Sequence, residues 1–479
     1  MFVRQEIWKM KSETELGRLR AGEKLTLSQQ LRMIITLSVP AIFSQISSII
    51  MQYIDASMVG RLGADASASI GLVSSSTWLV NGVCSAVAVG FTVQIAHRIG
   101  AGKDREARAI VRQGLLSVFC FALAMSLAAS AASGHLPVWL GAGENLRGDA
   151  SAYFLVFALF LPVQQMNYAA SGMLQCSGNM KTPSALNILM CPLDVVFNFL
   201  LIFPTRELTL MGRTLTVPGA GLGVTGAALG TAFAQLSVCF LMLGALLFQS
   251  PKLGLRRGEK LHLSKSVLKT ALRIALPAGA EQIFSSGAQV AQTRIVAPLG
   301  TISIAANSFA VTAESLCYMP GYGVGTAATT IIGQSIGAGR KDLTKRLGWL
   351  VTLFGMGIMA FSGAVMYLAA PVMIGILTPD PAIRELGTAV LRIEAFAEPL
   401  FAASMVVAGV FRGAGDTLVP SILNFVSMWL VRIPLAAFLA PQVGLAGVWT
   451  AMCLELCVRG SLFLLRLWRT PLGKSLGKR

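Results

Sequence analysis

One carboxylate interrupts the first long apolar run of this chain. The stretch MIITLSVPAIFSQISSIIMQYIDAS, residues 33–57, carries no charge except Asp55. A bilayer core of about 30 Å is crossed by about 20 apolar residues in helical form, which this run supplies. An acid at that depth costs at least about 2.5 kcal/mol on insertion scales, so it reads first as a functional group. Pro40 lies well inside the same run, where its ring deletes a backbone hydrogen bond and loosens the turn around it. A hinge is expected there. A second acid, Asp194, has Asn187 seven residues before it and Asn198 four after it. These spacings put all three on one helical face. A carboxylate between two amides suits a hard cation, which takes oxygen ligands, and equally a proton, which the carboxylate can carry. The residues leave that choice open.

Further acids fall inside apolar runs: Glu281, Glu314, Glu394, Glu398 and Glu455, set against Arg294, Arg392, Arg432 and Arg459. With Asp55 and Asp194 the acids are in surplus, which favours a cationic cargo, although pairs such as Arg432 with Glu398 or Glu455 would neutralise each other. Glu281 follows Pro277 by one turn and Glu314 precedes the Met319-Pro320-Gly321 break, so these two are the expected cavity liners. Gln52 and Gln292 join them as candidate cavity positions. No catalytic dyad, metal motif, phosphate loop or nucleotide-binding domain is evident, and His97, His135 and His262 fall at segment ends or in connectors. The eight cysteines show no metal-type or secreted-type spacing, and Cys453 and Cys457 read as packing residues. An enzyme is not expected, nor any cofactor beyond a coupling ion. An ion gradient is the simple energy source that remains, because the membrane potential supplies about 2.3 kcal/mol per charge per 100 mV.

The elements that must position these residues are membrane helices. Of 479 residues 54% are hydrophobic and only 13% charged, far too apolar for a soluble chain of this length. The net charge of +17 does not point to nucleic acid, because the bases sit in short connectors between apolar runs. Twelve apolar segments are expected at 31–58, 68–95, 109–132, 150–174, 182–203 and 222–248, then 267–297, 303–333, 346–369, 386–411, 418–439 and 444–465. Arg98, Lys103, Arg105, Arg108 and Arg112 share one side with Arg340, Lys341, Lys345, Arg346 and the basic stretch 249–273. The positive-inside rule makes that side cytoplasmic, with both termini on it. The expected organisation is a cytoplasmic tail at 1–30, a six-helix lobe at 31–248, a cytoplasmic linker at 249–266, a second six-helix lobe at 267–465 and a basic tail at 466–479.

The two lobes are an internal repeat. A shift of 237 positions lays Pro40 on Pro277, Gln45-Ile46 on Gln282-Ile283, Ile99-Gly100-Ala101-Gly102 on Ile336-Gly337-Ala338-Gly339, Pro162 on Pro399, and Asn187 on Asn424. Beyond the fifth segment the shift falls to 221, leaving 16 extra residues near 204–220 of the first half. Each half has six segments, an even number, so the repeat is parallel and the fold class is an all-α polytopic membrane protein of two pseudo-symmetric lobes. Such a body suits alternating access better than a pore. The repeat also acts as an internal control: Asp55 has Gln292 as its mate and Asp194 has Val431, so the paired acids belong to the first lobe alone.

The helix from Pro40 to Asp55 ending in MVGRLG, the loop IGAGK at 99–103, its echo VGTAATTIIGQSIGAGR at 324–340, LDVVFN at 193–198 and GVTGAALGT at 223–231 resemble the multidrug and toxic compound extrusion family, its prokaryotic branches most of all. The likeness covers residues 30–470. It implies an antiporter in the cytoplasmic (inner) membrane, exporting cationic or amphipathic small molecules in exchange for sodium ions or protons. It implies further that Asp55, Asp194 and Thr231 take part in a cation site in the first lobe, and that Pro40 is where the first helix bends as that site loads. The family's Asn one turn before the second Asp falls on Met190 here, which tilts the expectation toward protons unless Asn187 or Asn198 takes over. A flippase for a lipid-linked saccharide precursor is the alternative, disfavoured by the acid surplus. No nucleic acid partner is expected, and a monomer is.

Overall fold

The computed structural model describes residues 15–210, 213–256, 258–259 and 263–472. Residues 1–14 of the N-terminal tail, His262 and residues 473–479 of the basic C-terminal tail lie outside the described residues. The first long helix starts on a capping box. Thr26 Oγ1 accepts from Gln29 N at 3.4 Å and Gln29 Oε1 accepts from Thr26 N at 2.9 Å, so the polar tail gives way to α1 (Leu27–Gly60) at a defined residue. The first half continues with α2 (Ala64–Gly100), α3 (Asp104–Ala132), α4 (Glu144–Cys176), α5 (Lys181–Ile202), the strands β1 (Pro204–Leu210) and β2 (Arg213–Ala220), and α6 (Gly223–Gly244). The second half holds α7 (Lys265–Val296), α8 (Thr301–Gly337), α9 (Lys341–Leu377), α10 (Pro381–Glu394), α11 (Glu398–Gly413), α12 (Leu418–Val426), α13 (Ile433–Val443) and α14 (Leu445–Arg469).

Among the described residues nine helices are long and apolar enough to cross a membrane, and the bent pair α10–α11 makes a tenth. The two expected spans that fall short, α7 and α8, have ample length, 32 and 37 residues, but are rich in polar side chains. Both lie at the lobe boundary, and in α8 the polar Thr329, Thr330, Gln334 and Ser335 are all buried.

Three local features depart from the expected helices. The segment 386–411 is not one helix, because α10 and α11 meet at 57°, with Pro399 in the first turn of α11 where it has no N–H to continue the ladder. The segment 418–439 carries a π-helical turn, Ser427–Arg432, immediately before Pro434 in the first turn of α13. The 16-residue excess of the first half forms the antiparallel hairpin β1–β2, so the chain is helical with one small sheet.

In the first lobe α1 lies on α5, α2 on α3 and α4, and α6 on both α4 and α5. In the second lobe α8 lies on α9 and α11, and α11 on α14. The lobes meet where α1 packs on α8 and α2 on α7, two pairs that the repeat exchanges with each other. The repeat-matched glycines of the two Ile-Gly-Ala-Gly turns touch across this boundary. A Cβ on Gly337 would lie 3.0 Å from Gly100 Cα, and one on Gly100 would lie 2.8 Å from Gln334 Cα. Only hydrogen fits there, which lets two backbones close on one another. Gly102 and Gly339, two residues further on, both turn out of their helices at φ 72°.

Candidate functional site

Close packing of α1 on α5 brings Asp55 and Asp194 to one side chain. Asn198 Nδ2 donates to Asp55 Oδ1 at 2.8 Å and to Asp194 Oδ2 at 2.9 Å. Asp194 and Asn198 are fully buried and Asp55 is half-buried. Asp194 Oδ1 and Asn198 Oδ1 receive no hydrogen bond. The third wall is α6, which reaches Asn198 because Gly230 has no side chain: a Cβ there would lie 2.9 Å from Asn198 N and closer still to Oδ1. Two carboxylates and an amide oxygen, with open acceptors in a dry setting, can take up a proton or a bare monovalent cation. No group of three or more His, Cys, Asp or Glu residues suited to a multivalent metal occurs among the described residues.

The other first-lobe candidates lie elsewhere. Thr231 is half-buried and its hydroxyl makes no hydrogen bond to either acid. Asn187, two turns before Asp194, lines a central cavity together with Met190. That cavity, about 290 Å³, is walled by both lobes. Ser44, Gln45 and Ser48 of α1 line it, as do Gln164, Asn167 and Gln175 of α4. Its sole charged lining residue is Arg412 of α11. Pro40 directly precedes Ala41, the first lining residue of α1, and Asp55 stands two turns after Ser48, the last.

Gln52, Glu281, Gln292 and Glu314 are not in this wall. Gln52 is exposed, and Gln292 faces Met452 with Nε2 4.0 Å from Sδ. Glu281 accepts from Ser421 Oγ at 2.7 Å and Asn424 Nδ2 at 2.6 Å, so it is turned into its own lobe by the repeat mate of Asn187. Glu314, Glu394 and Glu398 are buried in the second lobe, and neither oxygen of Glu394 or Glu398 has a partner. Of the two expected pairs for Arg432, the one formed is with Glu455, at 2.6 Å; Glu455 also holds Arg459 at 2.8 Å and accepts from Ser427.

The acid surplus thus lies outside the cavity wall, whose residues, Asn187 and Met190 apart, sequence reasoning missed. One signal for them was present: Gln175 and Arg412 are 237 apart, a polar pair at matched positions with a charge in one lobe only.

The model of the MatE family matches this chain twice, at residues 40–200 and 277–438, and the second match begins 237 residues after the first (277 − 40). The chain is 27% identical over 441 residues to a protein of Thermotoga maritima named probable multidrug resistance protein NorM, covering 90% of this chain and 91% of that one. It is 24% identical over 420 residues to the uncharacterized transporter YisQ of Bacillus subtilis, covering 87% and 89%. Among solved structures, a crystal structure of MATE in complex with MaL6 superposes with a TM-score of 0.84 at 20% identity, over 92% of this chain and 96% of that one.

Proposed function

The chain belongs to the MatE family of multi-pass membrane transporters, and on that premise we propose that it is an ion-coupled antiporter exporting amphipathic small molecules across the inner membrane. The observation that carries the coupling is the placement of Asp55 on α1. The same helix lines the cavity through Ser44, Gln45 and Ser48 and packs on α8 of the other lobe. A proton or sodium ion loading the Asp55–Asn198–Asp194 cluster replaces the hydrogen bonds from Asn198, and α1 adjusts about Pro40. Ser44, Gln45 and Ser48 then shift against the cargo, so ion and cargo favour different arrangements of the lobes. Two acids and an amide suit a proton at least as well as sodium, for which Met190 supplies no ligand.

The basic connectors, read by the positive-inside rule, support an orientation with the Gly100–Gly337 contact at the cytoplasmic end and both termini inside. The relatives are named as multidrug resistance proteins and a transporter, which supports transport as the activity. A flippase for a lipid-linked diphosphate would need several bases in the cavity; one is found, so that reading is not favoured.

Reconstitution into proteoliposomes tests the proposal, with an amphipathic dye as cargo and a proton or sodium gradient imposed in turn. One of the gradients drives dye movement in the unmodified protein, and Asp55→Asn or Asp194→Asn abolishes the gradient dependence. Transport that keeps its gradient dependence in both variants would overturn the site assignment.

A further inference from the structure

We propose that the central cavity takes an amphipathic monoanion, a molecule with one carboxylate or sulfonate and an apolar body, and that Arg412 is the residue that selects its charge. The inference rests on the transporter reading above and adds the class of cargo.

Four observations carry it. First, Arg412 is the one charged side chain in the cavity wall, and no carboxylate is present there. Second, Arg412 makes no ion pair or hydrogen bond with any described residue, whereas elsewhere in the second lobe Arg432 and Arg459 share Glu455 and Arg466 pairs with Asp416. A half-buried guanidinium on the last turn of α11, facing a cavity and without a partner among the described residues, is a standing site for an anion. Third, Gln175, the repeat mate of Arg412, also lines the cavity, where it donates to Ser171 Oγ at 3.3 Å. Packing alone would be met by the neutral side chain in both lobes; the charge is present in one. Fourth, the acids that would attract a cationic cargo lie outside the cavity wall: Asp55 and Asp194 share Asn198 in the coupling cluster, and Glu281 is held by Ser421 and Asn424.

The rest of the wall suits the apolar body and the polar edges of such a molecule. Carboxamides donate as well as accept, so Gln175 and Asn187 can share a carboxylate with the guanidinium, while Tyr168 offers a ring. Arg412 belongs to the second lobe and Gln175 to the first, so a bound anion spans the seam. His97 of α2 contacts the carbonyl of Gly413, the next residue after Arg412, at 2.8 Å, which places the anion beside the lobe contact that must open in transport.

The cargo's sign fixes the electrical balance. If one coupling cation enters as one monoanion leaves, two positive charges move inward per cycle; exchange against a monocation would move none. An interior-negative potential therefore drives export of an anion even without an ion gradient.

Two dyes with one fluorophore test this: dansylglycine, a monoanion, and dansylcadaverine, a monocation. Binding to the purified full-length protein is followed by dansyl fluorescence, and export from proteoliposomes by the response to a potassium diffusion potential. Dansylglycine is expected to bind at least about tenfold tighter than dansylcadaverine; Arg412→Gln removes that preference and Arg412→Lys keeps most of it. An interior-negative potential accelerates dansylglycine export. Tighter binding of dansylcadaverine, unchanged dansylglycine binding in Arg412→Gln, or no binding of either dye overturns the proposal. Asp55→Asn separates it from the coupling reading: anion binding should persist there while gradient-driven transport is lost. Gradient-driven transport indifferent to Arg412 sinks the cargo assignment alone.

Discussion

Arg20 of the N-terminal segment grips Gln334 of α8: its Nε and Nη2 both donate to Gln334 Oε1, at 3.2 and 3.0 Å. Gln334 in turn donates from Nε2 to the carbonyl of Cys176 at the end of α4, at 2.7 Å. One buried carboxamide thus ties the segment before α1 to both lobes, and the fully buried Leu16 and Leu19 anchor that segment in a core shared with Ile331 and Leu347. Arg20→Ala should loosen this end by about 1.5 kcal/mol, or about tenfold in the opening equilibrium. The buried thiol of Cys176 reports it. In protein retaining Cys176 as its one cysteine, Arg20→Ala should speed maleimide labelling about tenfold; an unchanged rate would show that Arg20 holds nothing shut.

Asn198 has a sharper expected signature than simple loss. Its one Nδ2 donates to both acids, so it competes with the coupling ion for their oxygens. Asn198→Ala removes the competitor. The half-saturating ion concentration and the maximal exchange rate should then fall together, each by about tenfold, the value of a hydrogen bond to a charged group. The ion binds more tightly and leaves more slowly. A rise in the half-saturating concentration would mean that Asn198 is a ligand first and a competitor second.

Sequence alone carries the frame far and the cavity hardly at all. Apolar runs and a 237-residue repeat are long-range patterns that survive local irregularity, so the order of the membrane helices is legible. What breaks a helix is local: Pro399 opens α11 at 57° to α10, and Pro434 follows a π-turn, both inside runs that look continuous by hydropathy. In the acid cluster, helical spacing places Asn187, Asp194 and Asn198 on one face, but a face about three turns long crosses two environments. Asn198 reaches Asp55 and Gly230; Asn187 reaches the cavity. The cavity wall draws residues from several helices, and no periodicity within a single segment marks them. Glu281 stands at a break and still turns inward, because a carboxylate leaving water follows its nearest donors, here Ser421 and Asn424, and not the kink; Glu314, also near a break, is buried in the second lobe.

The contact of Gly100 with Gly337 predicts a switch by volume. A methyl group at either position meets backbone, which cannot be displaced as a flexible side-chain end can. Gly337→Ala should therefore disfavour this arrangement of the lobes. Spin labels at the exposed residues 103 and 341, on the turns that follow α2 and α8, read it by pulsed electron resonance. The distance distribution should move to longer values in Gly337→Ala, and an unmoved distribution would refute the tight seam.

The linker between the lobes is clasped to α3 by one carboxylate. Glu259 accepts from Arg108 Nε at 3.0 Å and Nη2 at 2.7 Å, and lies 3.1 Å from Arg112 Nη1; Gln113 and Ser264 exchange hydrogen bonds at 3.0 and 3.1 Å further along. The hydrogen bond from Arg108 holds the Glu259 carboxyl below the usual range. A depressed folded value means that the stabilisation is complete above the unfolded value of about 4.3 and is lost as pH falls through the folded one. The clasp should thus stay shut across neutral and mildly acidic pH and release below about 4.3, while the Gln113–Ser264 pair, with no titrating group, holds throughout. Glu259→Gln should cost about 1.5 kcal/mol at pH 7 and flatten the acid limb of the thermal midpoint against pH. Trypsin at pH 8 should cut after exposed Arg256 faster in that variant. Equal cleavage rates and parallel pH curves would show that the linker is docked by its other contacts, and that the hinge between lobes begins before Glu259.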